Sequence, residues 1–343
     1  MSESKRLTWF RRVARIAALL ALIVVVVGAW VRLTDAGLGC PDWPGCYGHA
    51  HPAQVGDRVS EINAAHPDRP FDYQKALNEM VHRYIASTLG LLIIALAVMS
   101  ITNRRDPAQP RVLPWILVVT VVLQGLLGMW TVTLLLKPLI VTLHLLGGLT
   151  TLSLLWWLSL RPERRDLKAA ERKVRRLSIV AMALVVVQVA LGGWTSTNYA
   201  AAACTDFPTC QDAWWPDMDF GSAFVLWRGL GIDYEGGVLD APARVAIHYV
   251  HRLGAYVVTL VLVAVGIAGW YRAQTRPLRV AAIGVLGALA LQLVIGMNLI
   301  WQGWPLWLGT AHNAGAALVV LAMVTLLRFL VPRSEAPRFG SKL

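Results

Sequence analysis

The chain has 343 residues, of which 56% are hydrophobic and only 15% are charged. An ordinary soluble domain has about 25% charged residues and a disordered chain is poor in hydrophobic ones, so both classes are excluded. The 32 Lys and Arg exceed the 20 Asp and Glu, which gives a net charge of +12. In a soluble protein this excess would suggest nucleic-acid binding. Here the basic residues lie between long apolar stretches, so they indicate membrane topology and no nucleic-acid partner.

Eight apolar stretches are long enough to cross a membrane, whose hydrocarbon core of about 30 Å needs about 20 residues of helix. The first stretch is longer than a signal-peptide core and lacks a small-residue cleavage site, which predicts a retained span. The predicted spans are 14–34, 80–101, 112–134, 139–160, 177–198, 247–270, 279–301 and 308–331.

The basic residues are concentrated on one side of these spans. The two termini and the segments 102–112, 161–176 and 271–279 hold 23 of the 32 Lys and Arg. By the positive-inside rule, both termini are cytoplasmic in a bacterial-type inner membrane, and the long loops 35–79 and 199–246 are extracytoplasmic. The basic segment 161–176 is also expected to contact anionic lipid.

The two halves of the chain repeat the same landmarks at a nearly constant offset. A repeat with an even number of spans inserts both copies in the same direction, so the repeat is parallel. The fold class predicted is an all-α integral membrane protein with two four-helix bundles, 1–160 and 177–343, related by a pseudo-twofold axis and joined by the linker 161–176. The matched positions are Gly28 with Gly192, Cys40 with Cys204, His82 with His251, Arg83 with Arg252, Gln124 with Gln292, Gly128 with Gly296 and His144 with His312.

Four histidines lie near the outer ends of predicted spans: His82 and His144 in the first half, His251 and His312 in the second. A lone intramembrane histidine can be a hydrogen-bonded packing residue, but ionisable groups within spans usually face the bundle interior and serve a site. Two imidazoles at one depth in each half can hold a flat macrocycle between two helices. Haem iron accepts histidine ligands in this way, whereas a closed zinc site needs four ligands. The pattern predicts bis-histidine haem in each half.

An arginine follows one histidine of each half. Arg83 and Arg252 are candidates for binding haem propionates, because a planar guanidinium suits carboxylates. Interfacial arginines that reach the lipid headgroups fit the same positions.

Each outer loop contains a C-x5-C pair, on the side of the membrane where thiols are readily oxidised. Three pairings of four cysteines are possible, and the duplication favours the local ones, Cys40 with Cys46 and Cys204 with Cys210. Structural clips and redox-active rings both fit such short disulfides.

One acidic residue distinguishes the halves. Glu79 precedes His82 by three residues and shares its helix face, whereas His248 holds the matching position before His251. A water-facing carboxylate at a helix start would explain Glu79 alone. A duplicated binder with one acid-bearing copy instead predicts one reacting site, in the N-terminal half with Glu79 as the catalytic residue, and one electron-relay site.

Taken together, these motifs resemble the haem A synthase family of cytochrome oxidase assembly. The resemblance runs from Gly28 to Leu330 and is strongest at VRLT (31–34), GLGCPDWP (37–44), ExxHR (79–83) and QxxLGxxTV (124–132). Asp35 and Ala36 stand where the family has small or hydroxyl residues, a departure that leaves the histidine positions untouched.

The resemblance implies that His251 and His312 hold haem B as a cofactor and that substrate haem O lies between His82 and His144, with Glu79 as an essential acid. It also implies an oxidoreductase that converts a methyl group of haem O to a formyl group in two successive oxidations, for cytochrome oxidase biogenesis. A haem O synthase would supply the substrate, and assembly into oligomers is compatible with it. An electron donor or acceptor must also exist, since the sequence has no phosphate cradle or nicotinamide fingerprint.

The alternative from another class is a quinol-linked dihaem b-type electron-transfer protein that does not modify its haem. It shares the four histidines, and Glu79 separates the two hypotheses because only the chemistry needs an acid. A transporter is less well supported, since the spans lack discontinuous helices and acidic relay residues.

Overall fold

The computed structural model describes residues 4–67, 69–161, 163 and 165–332. Over these residues the chain is helical, with two isolated β-bridges in the outer loops. The helices are α1 (Lys5–Leu33), α2 (Val59–Ala65), α3 (Tyr73–Thr102), α4 (Leu113–Thr133), α5 (Pro138–Ser159), α6 (Ala169–Thr197), α7 (Phe220–Ala223), α8 (Ala241–Arg272), α9 (Arg276–Trp301) and α10 (Leu306–Phe329), with a 3-10 helix at Pro52–Arg58.

Eight of these helices, all except α2 and α7, are long and apolar enough to cross a membrane. The predicted all-helical fold with eight spans is therefore confirmed. Several helices begin one to three turns before the apolar stretch, because capping and not hydropathy fixes where a helix starts. Ser4, Asp72 and Asp240 cap α1, α3 and α8 by accepting hydrogen bonds from backbone N–H groups three residues later.

The helices pack as two groups of four. The first group is α1, α3, α4 and α5, the second is α6, α8, α9 and α10, and the groups meet where α1 and α5 contact α10 and where α5 contacts α6. Each group has its own buried apolar core, and Trp156 and Val189 pack against both cores. This arrangement is consistent with two repeated bundles, while the division at 160 and 177 stays a prediction. Arg164 and the C-terminal residues 333–343, which contribute to the predicted charge asymmetry, lie outside the described residues.

Contacts between matched positions of the two halves indicate where a pseudo-twofold axis passes, since two matched residues can touch only near the axis. On the outer side, Arg32 donates to the carbonyl of Ser196 at 2.8 Å and Tyr199 donates to Asp35 at 3.3 Å, both across 164 residues. On the inner side, Arg328 donates to the carbonyl of Leu160 at 3.3 Å across 168 residues. These contacts at both ends of the bundle are consistent with the predicted axis, which stays a prediction.

The buried carboxylate of Glu171 holds the basic linker to the turn between α8 and α9. Glu171 is fully buried and accepts two hydrogen bonds from the guanidinium of Arg165, at 2.7 and 2.8 Å. It also accepts from the backbone N–H of Gln274, in the turn between α8 and α9, at 3.2 Å. Hydrogen bonding to Glu171 raises the pKa of Arg165, so the arginine stays charged at any physiological pH.

Replacing Glu171 with Gln is expected to lower the free energy of unfolding by about 2 kcal/mol, because a buried hydrogen bond to a charged group is lost. Thermal unfolding of the purified protein in detergent measures the effect. Asp166→Asn, an exposed acid of the same linker, is the control. Equal midpoints for the two variants would contradict this role of Glu171.

Candidate functional site

The four histidines lie on α3, α5, α8 and α10, and each packs its imidazole Cε1 edge against a glycine of a neighbouring helix. A Cβ atom at these glycines would lie only 2.9 to 3.4 Å from Cε1. At Gly28, Gly192 and Gly296, where the distance is 2.9 to 3.1 Å, a larger residue would therefore crowd the ring, whereas the 3.4 Å at Gly128 is an ordinary contact. The four pairs are Gly28 with His82, Gly128 with His144, Gly192 with His251 and Gly296 with His312.

The histidines are paired within each half. His82 and His144 are close enough for their charges to interact, and so are His251 and His312. In the first half the Nδ1 atoms of both rings are buried without a hydrogen-bond partner. A buried polar atom without a partner is rare in a native structure and indicates a missing ligand or an altered state of the ring.

These residues fit haem iron better than a structural metal. No group of three or more His, Cys, Asp or Glu able to hold a metal ion occurs among the described residues. Two neutral imidazoles per half suffice for the two axial positions of haem iron but not for a closed zinc site. The two histidine pairs, each ring packed against a glycine, are therefore compatible with the predicted haem ligation, which stays a proposal.

Glu79 lies one helical turn before His82 and is connected to the first disulfide loop (residues 40–46). Its side chain is only 5% exposed, so it is not the water-facing carboxylate that a helix start alone would suggest. One carboxylate oxygen accepts a hydrogen bond from the backbone N–H of Cys40 at 3.0 Å, and the other forms an ion pair with Arg83. The carboxylate is thus held by the loop and by its own helix.

Arg83 completes the link between α3 and the first disulfide loop. Its guanidinium donates to the carbonyl oxygens of Asp42 at 3.0 Å and Pro44 at 3.2 Å, and also to that of Gly45. The fixed fork of the guanidinium is therefore aimed at the loop and not at the lipid headgroups. Binding of a propionate by Arg83 stays a prediction.

The second half repeats this link without the carboxylate. Arg252 donates to the carbonyl oxygens of Thr209 at 2.8 Å and Cys204 at 3.0 Å. His248 replaces Glu79: its Nδ1 lies 3.3 Å from the backbone N–H of Cys204 and its Nε2 lies 3.2 Å from Nε of Arg252. A neutral imidazole accepts at only one nitrogen, whereas a carboxylate accepts at both oxygens. The first half therefore holds an acid–arginine ion pair, whereas among the described residues Arg252 forms no such pair, and the charge of Asp206 acts on it from the disulfide loop.

The two disulfide loops have the same internal structure. Cys40 is bonded to Cys46 and Cys204 to Cys210, and all four residues are buried. Asp42 accepts from the backbone N–H groups of residues 47 and 48, as Asp206 does from those of residues 211 and 212. Burial acts to raise the pKa of Asp206, but hydrogen bonds from Thr209 and these two amides hold it below its ordinary value.

Sequence reasoning placed the histidines and Glu79 but did not identify their partners. The glycines at 28, 128, 192 and 296 were noted only as landmarks of the repeat, although their recurrence in register with the histidines was the signal of a shared contact. The contact between Glu79 and the first disulfide loop has no signal in the sequence, since it joins positions 39 residues apart.

Comparison with known proteins identifies the family of the chain. A family model described as cytochrome oxidase assembly protein matches residues 11–324. Heme A synthase of Shewanella oneidensis is 39% identical over 334 residues, covering 96% of this chain and 98% of that protein. The chain belongs to the haem A synthase family. Heme A synthases of Novosphingobium aromaticivorans and Shouchella clausii are 27% and 26% identical, covering 90% and 94% of this chain and 91% and 95% of their own lengths.

Membership of the haem A synthase family confirms the resemblance drawn from the sequence motifs. Together with the eight candidate spans, it identifies the chain as a multi-pass membrane protein. The inner-membrane location and the cytoplasmic termini stay predictions of the charge pattern.

Replacing Gly28 or Gly192 with Ala is expected to remove haem from the half that carries the substitution, because the added Cβ would lie 2.9 or 3.1 Å from Cε1 of His82 or His251. The haem-to-protein ratio and the absorption spectrum of the purified variants measure the loss. Gly125→Ala is the control, since a Cβ there meets nothing within 4 Å. Full pigment in all three variants would show that the glycine contacts do not position the histidines.

Proposed function

We propose that the protein is a haem A synthase, which oxidises a methyl group of haem O to a formyl group. The family supports an enzyme of haem A formation and does not favour the electron-transfer alternative. The observation that carries the finer assignment is the asymmetry between the halves: Glu79 stands beside one histidine pair, and His248 stands in its place beside the other.

The N-terminal half is then the substrate site. Haem O is held between His82 and His144, each ring fixed by its glycine neighbour. Two imidazoles on facing helices restrict tilting of the macrocycle, so that one particular methyl group meets the oxidant. The first oxidation gives an alcohol and the second a geminal diol, which loses water to give the aldehyde. With water as the source of oxygen, each oxidation adds one oxygen atom and releases two protons and two electrons, and the electrons pass to the external electron partner.

Glu79 is the group of this site best suited to handle those protons. A carboxylate close to an apolar wall can accept or deliver a proton at the reacting carbon or at a water beside it. The backbone N–H of Cys40 and the guanidinium of Arg83 use part of its hydrogen-bonding capacity and fix its orientation. A carboxylate offers about four lone-pair positions, so Glu79 can still bind a water or a substrate hydroxyl.

The C-terminal half is the cofactor site, with haem B held by His251 and His312. When bound, haem B supplies a one-electron redox centre. The positive charge of Arg252, without a carboxylate in contact, favours the more negative, reduced state of a group bound nearby. Delivery of haem O by a haem O synthase and the identity of the external electron partner belong to the same proposal.

Replacing Glu79 with Gln is expected to leave haem bound but to lower haem A formation by about a hundredfold or more, the usual contribution of a general acid or base. Haem extracted from cells expressing the variant and separated by chromatography gives the ratio of haem A to haem O. Glu61→Gln, an exposed acid of the same outer loop, should behave as the unmodified protein. Full conversion by the Glu79 variant would exclude an essential acid at this position.

Replacing the histidines one half at a time tests which half holds which haem. His251→Ala with His312→Ala is expected to remove haem B, because alanine cannot bind iron, while His82→Ala with His144→Ala is expected to remove haem O and haem A and to retain haem B. The extracted pigments of each purified double variant identify the haem that is lost. Loss of haem B from the N-terminal variant alone would reverse the assignment.

A further inference from the structure

A glutamine side chain touches each histidine of the C-terminal half. The side-chain nitrogen of Gln188, on α6, lies 3.1 Å from Nδ1 of His251 and 2.9 Å from the carbonyl oxygen of the same residue. The side-chain nitrogen of Gln292, on α9, lies 3.3 Å from both ring nitrogens of His312. Both histidines of this half are thus in contact with a side-chain amide.

The N-terminal half lacks such contacts. Nδ1 of His82 and Nδ1 of His144 are buried without a hydrogen-bond partner. The position that matches Gln188 at the offset of 164 is Val24, which offers no hydrogen-bonding group. For His251 and His82 the difference is therefore written into the sequence at one position of the repeat, whereas Gln124 matches Gln292 and the contact of His312 differs in geometry alone.

A second position makes room for the amide. A Cβ atom at Gly254 would lie 2.1 Å from Oε1 of Gln188, so the amide occupies space that only a glycine leaves free. In the first half the matching residue, at the offset of 169, is Ile85. The second half thus combines Gln188 with Gly254, and the first half combines Val24 with Ile85. Only the combination in the second half places a polar group beside the histidine.

If His251 binds iron, the amide of Gln188 can serve as the hydrogen-bond partner of its second ring nitrogen. A neutral imidazole that coordinates through Nε2 carries its proton on Nδ1, and such ligands almost always donate that proton to an acceptor, which fixes the ring and raises its basicity. Oxygen and nitrogen of a glutamine amide exchange places by a half-turn of the group. Oε1 of Gln188 has no hydrogen-bond partner in this structure. The half-turn would present it to Nδ1–H, at the cost of the contact with the His251 carbonyl.

Resting on the proposed function, we propose that Gln188 is a positioning residue: its amide oxygen accepts the Nδ1 proton of His251 and so makes the C-terminal half the site that retains its haem. The N-terminal half has valine at this position, and Nδ1 of His82 has no hydrogen-bond partner. It therefore holds its haem less tightly, as a site must do when it takes up a substrate and releases a product of nearly the same shape.

The first test compares Gln188→Met, which keeps the length of the side chain but removes the amide, with Gln188→Glu, which keeps an acceptor. Loss of such a partner typically weakens binding of the metal centre by about 10- to 100-fold. We expect the Met variant to lose haem B to apomyoglobin faster by a factor in this range. The Glu variant should retain haem B with a lower reduction potential, because a stronger acceptor makes the imidazole more basic. Equal retention and equal potential in both variants would overturn the proposal.

A second variant disrupts the contact between Gln188 and His251 by a substitution on α8. Gly254→Ala places a Cβ where Oε1 of Gln188 lies, so it should expel the amide and reproduce the Met variant while favouring the helix. Gly287→Ala, where a Cβ meets nothing within 4 Å, is the matched control. The reverse exchange, Val24→Gln with Ile85→Gly, should slow the release of haem from the N-terminal half. Unchanged release rates in Gly254→Ala and in the exchange variant would also contradict the proposal.

Failure of this inference can be told apart from failure of the proposed function. If His251→Ala with His312→Ala keeps its haem B, the C-terminal half is not the cofactor site and the proposed function is wrong. If that variant loses haem B while Gln188→Met retains it at the rate of the unmodified protein, only the role of Gln188 is wrong.

Discussion

The site depends on one contact made four times, the edge of an imidazole against a glycine of the neighbouring helix. Within a membrane, helices gain little from hydrophobic burial against each other, so close approach at small residues is a main source of their association. Here a histidine packs against each glycine, so the close approach of the helices also orients the imidazole ring. The same contact therefore holds the helices together and fixes the direction of the four candidate ligands.

The two halves share this contact but differ in what surrounds it. The first histidine pair has the buried carboxylate of Glu79 beside it, and the Nδ1 atoms of its rings have no hydrogen-bond partner. The second pair has contacts with glutamine amides, and His248 replaces the acid. A histidine ligand whose Nδ1 has no partner is less firmly oriented and less basic, so the first site would hold a bound haem less tightly than the second. This difference suits one site that turns over and one that keeps its group.

The sequence predicted the eight spans and the two disulfide pairs, because these depend on local patterns, whereas the repeat and the site residues stay predictions. Apolar length marks the membrane-crossing part of a helix, and a constant offset relates Cys40 to Cys204 and His82 to His251. It could not predict that Glu79 binds the backbone of Cys40 or that Arg83 is occupied by loop carbonyls, since such contacts depend on how a loop folds back over a helix end. Gln188 is not apparent from the repeat for a related reason. The two halves differ at this position, Gln188 against Val24, so a comparison of matching positions does not reveal it.

The outer loops also show why the two bundles are not independent units. Lys137, at the start of α5 in the first half, is buried, lies with Nζ 3.7 Å from the ring centre of Trp227, and donates to the carbonyl of Gly229 in the loop of the second half. The backbone N–H of Tyr234 in the same loop donates to the carbonyl of Leu135 at 3.1 Å. A buried ammonium is tolerated only when its donors are satisfied, so Lys137 requires the second loop to be in place. The ends of the first bundle that carry its disulfide loop are therefore completed by a segment of the second.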